Sequence, residues 1–197
     1  MRKRMFAAAA TLALVFGGTA AQAEQWVLSK EASKIAYGSI KRDSIGEVNH
    51  FTGLSGSVSP AGLVSVSIDL TTVETWIDIR NERMRKVVFE AMGADKATLM
   101  AEIDMTELDI MAPGDTKMLD VEGALAIGPL TIDIYTTFFV ARLSHARTLV
   151  MNDEMIMLST EEMGIDPSID RLMELAELPG ITRVAPVTLR LVFDRAA

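Results

Sequence analysis

Leu63-Val64-Ser65-Val66-Ser67-Ile68-Asp69-Leu70 is the stretch that decides the fold. Val64, Val66, Ile68 and Leu70 fall on one face of an extended segment, and Ser65, Ser67 and Asp69 on the other. A period of two belongs to a β-strand with one buried and one wet face. The same alternation recurs on both sides. Upstream, Ile35 and Tyr37 share a face, and Phe51 lies in a segment whose Gly53 and Gly56 suit a strand that bends. Downstream come Leu99, Ala101, Ile103 and Met105, then Leu119, Val121, Leu125 and Ile127. Leu130, Ile132, Ile134, Thr136 and Phe138 make a longer row, and Leu149, Met151, Asp153, Met155 and Met157 another. Val187, Leu189, Leu191 and Phe193 close the series. About eight such strands, punctuated by Pro- and Gly-containing turns, predict an all-β, antiparallel, lipocalin-like β-barrel.

Two stretches break the period. Residues 79–90 lack alternation and are rich in helix formers, so a short helix is expected there. In residues 167–178, Ile169, Leu172, Met173 and Ala176 recur at helical spacing, which predicts an amphipathic helix. Asp166 and Pro167 suit its start as N-cap and first helical residue, and Pro179-Gly180 its end.

The first residues carry an export signal. Arg2, Lys3 and Arg4 precede an apolar stretch that ends at Phe16, and Ala21-Gln22-Ala23 is a small-x-small cleavage site. Residues 1–23 are therefore expected to be a signal peptide and residues 24–197 one barrel domain. The apolar stretch is short for a bilayer span, so no stable membrane span is expected after cleavage. The expected destination is the periplasm, with secretion beyond it left open. The chain carries 19 basic and 27 acidic side chains, a net charge of −8. Cleavage leaves 16 against 27, or −11. Such acidity argues against nucleic acid as a partner, since phosphates require a basic footprint. Cysteine is absent, which removes thiol catalysis and thiolate metal sites.

No constellation of catalytic residues stands out. His50 and His145 are the two histidines, each without a second His at metal-ligand spacing. There is no nucleophile elbow and no phosphate-binding glycine loop. No metal and no cofactor are expected. Met155 and Met157 share a face and could hold a soft metal, but scattered methionines more simply fill an irregular apolar interior. Arg80 and Arg83, one helical turn apart, are candidates for a polar head group at a barrel mouth. Their plainer reading is a solvated helix face.

The order of short motifs resembles the YceI-like family of exported, lipocalin-like barrels. The resemblance begins at Trp26-Val27-Leu28 and Ser33-Lys34-Ile35-Ala36-Tyr37. It continues through Phe51-Thr52-Gly53-Leu54-Ser55-Gly56-Ser57-Val58, then Thr75 with Arg80-Asn81-Glu82-Arg83-Met84 and Phe89. Gly123-Ala124-Leu125 and Gly164-Ile165 complete it. Each motif is short, and the order and spacing over nearly the whole mature chain carry the likeness. Departures occur at Gly128-Pro129-Leu130, at Met163 before Gly164, and in the helix at 167–178, which enlarges a normally shorter connection. The resemblance implies a barrel that encloses a long apolar molecule: a polyisoprenoid, an isoprenoid quinone or a fatty-acid derivative. It carries no catalytic set with it.

The expected function is accordingly a periplasmic lipid carrier rather than an enzyme. Its inward, ligand-binding residues are expected to be Ile35, Tyr37, Phe51, Val66, Ile68, Leu99, Ile103, Val121, Ile132, Ile134, Phe138, Leu189 and Leu191. Arg80 and Arg83 are the expected head-group contacts, and Ile169, Leu172 and Met173 the expected lid. Two other functions remain open from the residues: a packed barrel that engages a protein partner, and a lipid-modifying enzyme. A homodimer also remains open.

Overall fold

The structure is a computed structural model that describes residues 25–196. The expected signal peptide therefore lies outside the described residues. Among the described residues, ten strands form one antiparallel sheet: β1 (Trp26–Leu28), β2 (Lys34–Lys41), β3 (Ile45–Val58), β4 (Leu63–Glu74), β5 (Lys96–Glu102), β6 (Thr116–Ile127), β7 (Leu130–Ser144), β8 (Arg147–Asn152), β9 (Ile156–Ser159) and β10 (Val184–Arg195). Sequential strands pair from β2 to β8, and β10 pairs both β2 and β8, so the sheet closes on itself. β1 and β2 lie end to end between β3 and β10, while β8 and β9 both pair β10 on its other side, β8 along residues 190–194 and β9 along 184–187. Ten segments thus fill the eight positions of a closed barrel.

Period-two patterning decides which residues enter. Val66 is fully enclosed, and Ile68 and Leu70 are buried beside it, as the alternation of β4 requires. The alternation then slips. Phe51 pairs with Val73 but Gly53 pairs with Asp69, so β4 bulges between them. A Cβ on Gly53 would lie 2.8 Å from Asp69 Cβ and from Thr72 Cγ2, so only glycine fits against this bulge.

The two ends of the barrel differ. At the lower end, the helical turn α2 (Thr106–Asp109) brings Leu108 under the barrel. Arg142 is buried there and stacks on Trp26, 4.6 Å from its ring centroid, with Arg195 also over that ring. Arg142 donates to Thr148 Oγ1 at 2.8 Å and to the Leu108 carbonyl at 2.5 Å. Burial and the charge of Arg195 push its guanidinium below the ordinary arginine value, with Asp109 opposing. At four residues, α2 is too short to show a helical period in the sequence. At the upper end, helix α1 (Asp78–Arg83) runs on as a π-helical turn (Met84–Phe89), matching the helix expected at 79–90. Helix α3 (Asp166–Ala176) packs against that turn.

Two expectations about this region are corrected. Asp166 is the first helical residue and does not cap α3; its carboxylate accepts from Thr160 Oγ1 at 2.5 Å. The helix stops at Ala176 because Glu177 adopts a left-handed backbone, φ 51°, ahead of Pro179-Gly180. The methionine row is also corrected. Met151, Met155 and Met157 face outward, Met155 being 62% and Met157 59% exposed. Pairing of Met157 with Pro186 on β10 turns Ile156 and Leu158 inward instead.

Candidate functional site

The inward rows do not meet in the upper half of the barrel. They enclose a cavity of about 640 Å³, within the size range of small-ligand sites. Its wall comes from nearly every strand. Ile35 and Tyr37 enter from β2, Phe51 from β3, Ile68 from β4, Leu99 from β5, Ile134 from β7 and Leu189 from β10. Each holds an inward position because its neighbours in sequence point out. A smaller space of about 100 Å³ lies below, lined by Val66, Ile103, Val121, Phe138 and Leu191 among others. Leu99 and Ile134 line both spaces and form the waist between them. Trp26 and Arg142 line the lower space at the closed end.

Twelve of the thirteen residues expected to point inward therefore line one space or the other. Ile132 lines neither; it packs half-buried against the core. Of the expected lid residues, Ile169 and Leu172 are buried and line the large cavity. Met173 packs beside them against the core, with its sulfur 3.8 Å from Arg183 Nη2.

Several lining residues escaped the sequence reading. Val88 and Phe89 from the π-helical turn, and Met163 and Ile165 ahead of α3, face the cavity from its upper end. Tyr37, Phe51 and Phe89 form an aromatic ladder, with ring centroids 5.6 and 6.0 Å apart. Asn49 and Glu47 are inward too, on the row of β3 that contains Phe51. Their only sequence signal is parity with Phe51.

Polar groups gather at the upper opening. Arg80 and Arg83 line it together with Lys41, Arg42 and Glu47. Arg80 pairs with Glu47 at 2.8 Å, and Lys41 reaches the same carboxylate at 2.6 Å. The charge of Arg80 is thus engaged within the protein. A buried network fixes the helix that carries it. Thr75 at the end of the barrel wall donates to Asn81 Oδ1 from its backbone N–H at 2.8 Å and from its hydroxyl at 2.6 Å. Asn81 Nδ2 in turn donates to Glu74 at 3.1 Å. Thr75 and Asn81 belong to the motif quoted from the sequence, and this geometry gives the motif a physical role.

The Tyr37 hydroxyl lies in the wall, and burial raises its pKa above the ordinary tyrosine value, with the Arg80 charge pulling slightly back. His50 is on the outer face of β3, its ring 5.3 Å from that of Trp76. Burial and the charge of Lys34 lower its pKa, and Glu74 opposes them. His145 is exposed in the β7–β8 turn. Among the described residues, no group of three or more His, Cys, Asp or Glu side chains could hold a metal ion. No described helix is long and apolar enough to cross a membrane.

A closed antiparallel barrel with one plugged end and an apolar cavity beneath a polar rim is the architecture of lipocalin-like binding proteins. No protein-family model and no curated protein matches this chain. Among solved structures, it is similar to a polyisoprenoid binding domain from Saccharophagus degradans implicated in plant cell wall breakdown. The two share 31% identity at a TM-score of 0.84, over 87% of this chain and 98% of that one. BcnA of Burkholderia cenocepacia has the same fold, with a TM-score of 0.61 and 16% identity over 84% of this chain and 98% of its own. The chain belongs to the YceI-like family.

Proposed function

We propose that this protein is a carrier that encloses one long apolar lipid of the polyisoprenoid kind, and that it is not an enzyme. The observation that carries this is the cavity of about 640 Å³, walled by aliphatic and aromatic side chains from around the barrel. Each Å² of apolar ligand surface removed from water there contributes about 25 cal/mol before ordering costs. The similar domain from Saccharophagus degradans is a polyisoprenoid binding domain, which supports the choice of ligand class. Ile169 and Leu172 of α3 cover one side of the opening and serve as the lid. The basic, apolar and small-residue succession in residues 1–23 supports delivery to the periplasm.

The test is thermal unfolding of delipidated protein with and without a polyprenol. Ligand at a hundred times its Kd stabilises the fold by about 2.7 kcal/mol, which for a domain of this size raises Tm by roughly 5–10 °C. An unchanged Tm, together with no retention of the polyprenol on gel filtration, rejects the carrier reading.

A further inference from the structure

Two buried polar atoms in the wall of the large cavity have no hydrogen-bond partner among the described residues: the Tyr37 hydroxyl and the Asn49 side-chain oxygen. Tyr37 and Asn49 are directly opposite each other on β2 and β3, and both line the cavity. Asn49 is only 4% exposed. Buried polar atoms in native proteins are almost always paired, and an unpaired one costs stability unless something else meets it. Their placement in a cavity wall, rather than in packed core, shows from which side that partner must come.

We propose that Tyr37 and Asn49 form a subsite for one uncharged hydroxyl oxygen of the bound lipid. This rests on the carrier reading above. The ligand hydroxyl donates its proton to Asn49 Oδ1 and accepts the proton of the Tyr37 hydroxyl, so a single O–H group satisfies both atoms. As placed, the pair offers one acceptor and one donor, which matches a hydroxyl; a phosphate or carboxylate, which only accepts, leaves Asn49 Oδ1 unmet. The cationic side chains gather at the rim, where Glu47 engages Arg80 and Lys41, and Arg42 and Arg83 line the opening beside them. Tyr37 stands four residues below Lys41 along β2, roughly 13 Å at about 3.3 Å per residue. The polar end of the ligand is therefore held inside the barrel, with its chain running past Ile35, Phe51 and Leu99 toward the waist. The class this selects is a prenol or prenylated phenol, in preference to a prenyl phosphate.

The experiment measures affinities of the delipidated full chain for four probes with one C20 prenyl chain: geranylgeraniol, its methyl ether, the corresponding hydrocarbon and geranylgeranyl phosphate. Tyr37→Phe is the test variant; it removes a hydroxyl that bonds no described residue, so the fold is kept. The expected result is an advantage of about tenfold or more for the alcohol over the ether and the hydrocarbon. Tyr37→Phe abolishes most of that advantage and leaves the hydrocarbon affinity unchanged. Equal binding of the alcohol and the hydrocarbon means that solvent serves the pair, and overturns the subsite alone. The subsite also falls if Tyr37→Phe weakens all probes alike, or if the phosphate binds tightest in both proteins. Failure of every probe to bind overturns the carrier reading itself, and the subsite with it.

Discussion

Ala97→Phe places an aromatic ring at a position that is buried yet faces open space. Ala97 is 3% exposed, pairs with Ile68 and Ile127 across β4 and β6, and lines the large cavity. In a filled core, an insertion of this size forces neighbouring side chains out of their rotamers and costs about 1–3 kcal/mol. Against the cavity the ring has room, and its own burial offsets the strain, so stability is expected to stay within about 1 kcal/mol of wild type. Binding responds differently. A ring of about six carbons, at about 0.8 kcal/mol per methylene-sized group, displaces up to about 5 kcal/mol of ligand burial, or roughly three to four orders of magnitude in affinity. A flexible ligand recovers part of this by shifting, so a loss of at least about tenfold, or 1.4 kcal/mol, is the expected minimum. Val73→Phe is the comparison, because Val73 is 2% exposed in the core cluster and lines neither space. It should lower Tm by about 2–4 °C for each kcal/mol of overpacking. Urea unfolding and polyprenol binding on both variants make the test. If Ala97→Phe destabilises as much as Val73→Phe and leaves binding intact, the interior is not a ligand site.

Three further outcomes follow from the geometry. Asn81→Leu removes the acceptor for two Thr75 donors in a buried setting, so it should cost about 1–3 kcal/mol in urea unfolding. It should also speed ligand release, because it frees α1 at the opening; an unchanged off-rate would show that this helix does not gate the cavity. Gly62→Ala meets both a left-handed backbone, φ 83°, and a clash of the new Cβ with the Ile103 carbonyl oxygen. The backbone alone costs about 1–2 kcal/mol, and a variant as stable as wild type would contradict the tight turn. His50 gives a pH signature. Its pKa is lowered in the fold, so below about 6.5 the unfolded chain takes up the proton more readily and stability falls as the pH drops. His50→Gln should flatten that part of the pH–stability curve relative to wild type; superimposable curves would mean that the lowering is negligible.

The barrel was legible in the sequence because strands such as β4 contrast sharply between faces. Val66 and Ile68 against Ser65 and Ser67 leave one inward assignment. Where both faces are apolar, parity alone cannot decide. Met155 and Met157 alternate with Ile156 and Leu158, and only the register with β10 sends the methionines outward. Asn49 is hidden in the sequence for the opposite reason. A polar residue on an inward row reads as an interruption when a packed core is assumed, and as a site once a cavity is present. Arg80 and Arg83 were visible as a cationic pair on a helix. The Glu47 partner of Arg80 comes from another strand, and sequence spacing does not reveal a contact made by barrel closure. Likewise Thr75 and Asn81 stood in the quoted motif, but their hydrogen bond shows only in three dimensions.

Native mass spectrometry of the protein as isolated from a cell envelope tests lipid carriage most directly. The expected spectrum shows one chain with one added mass of lipid size, which organic extraction removes and yields as a prenylated alcohol or phenol. A spectrum of the bare chain alone, from protein that also fails to take up an added polyprenol, would contradict the carrier function.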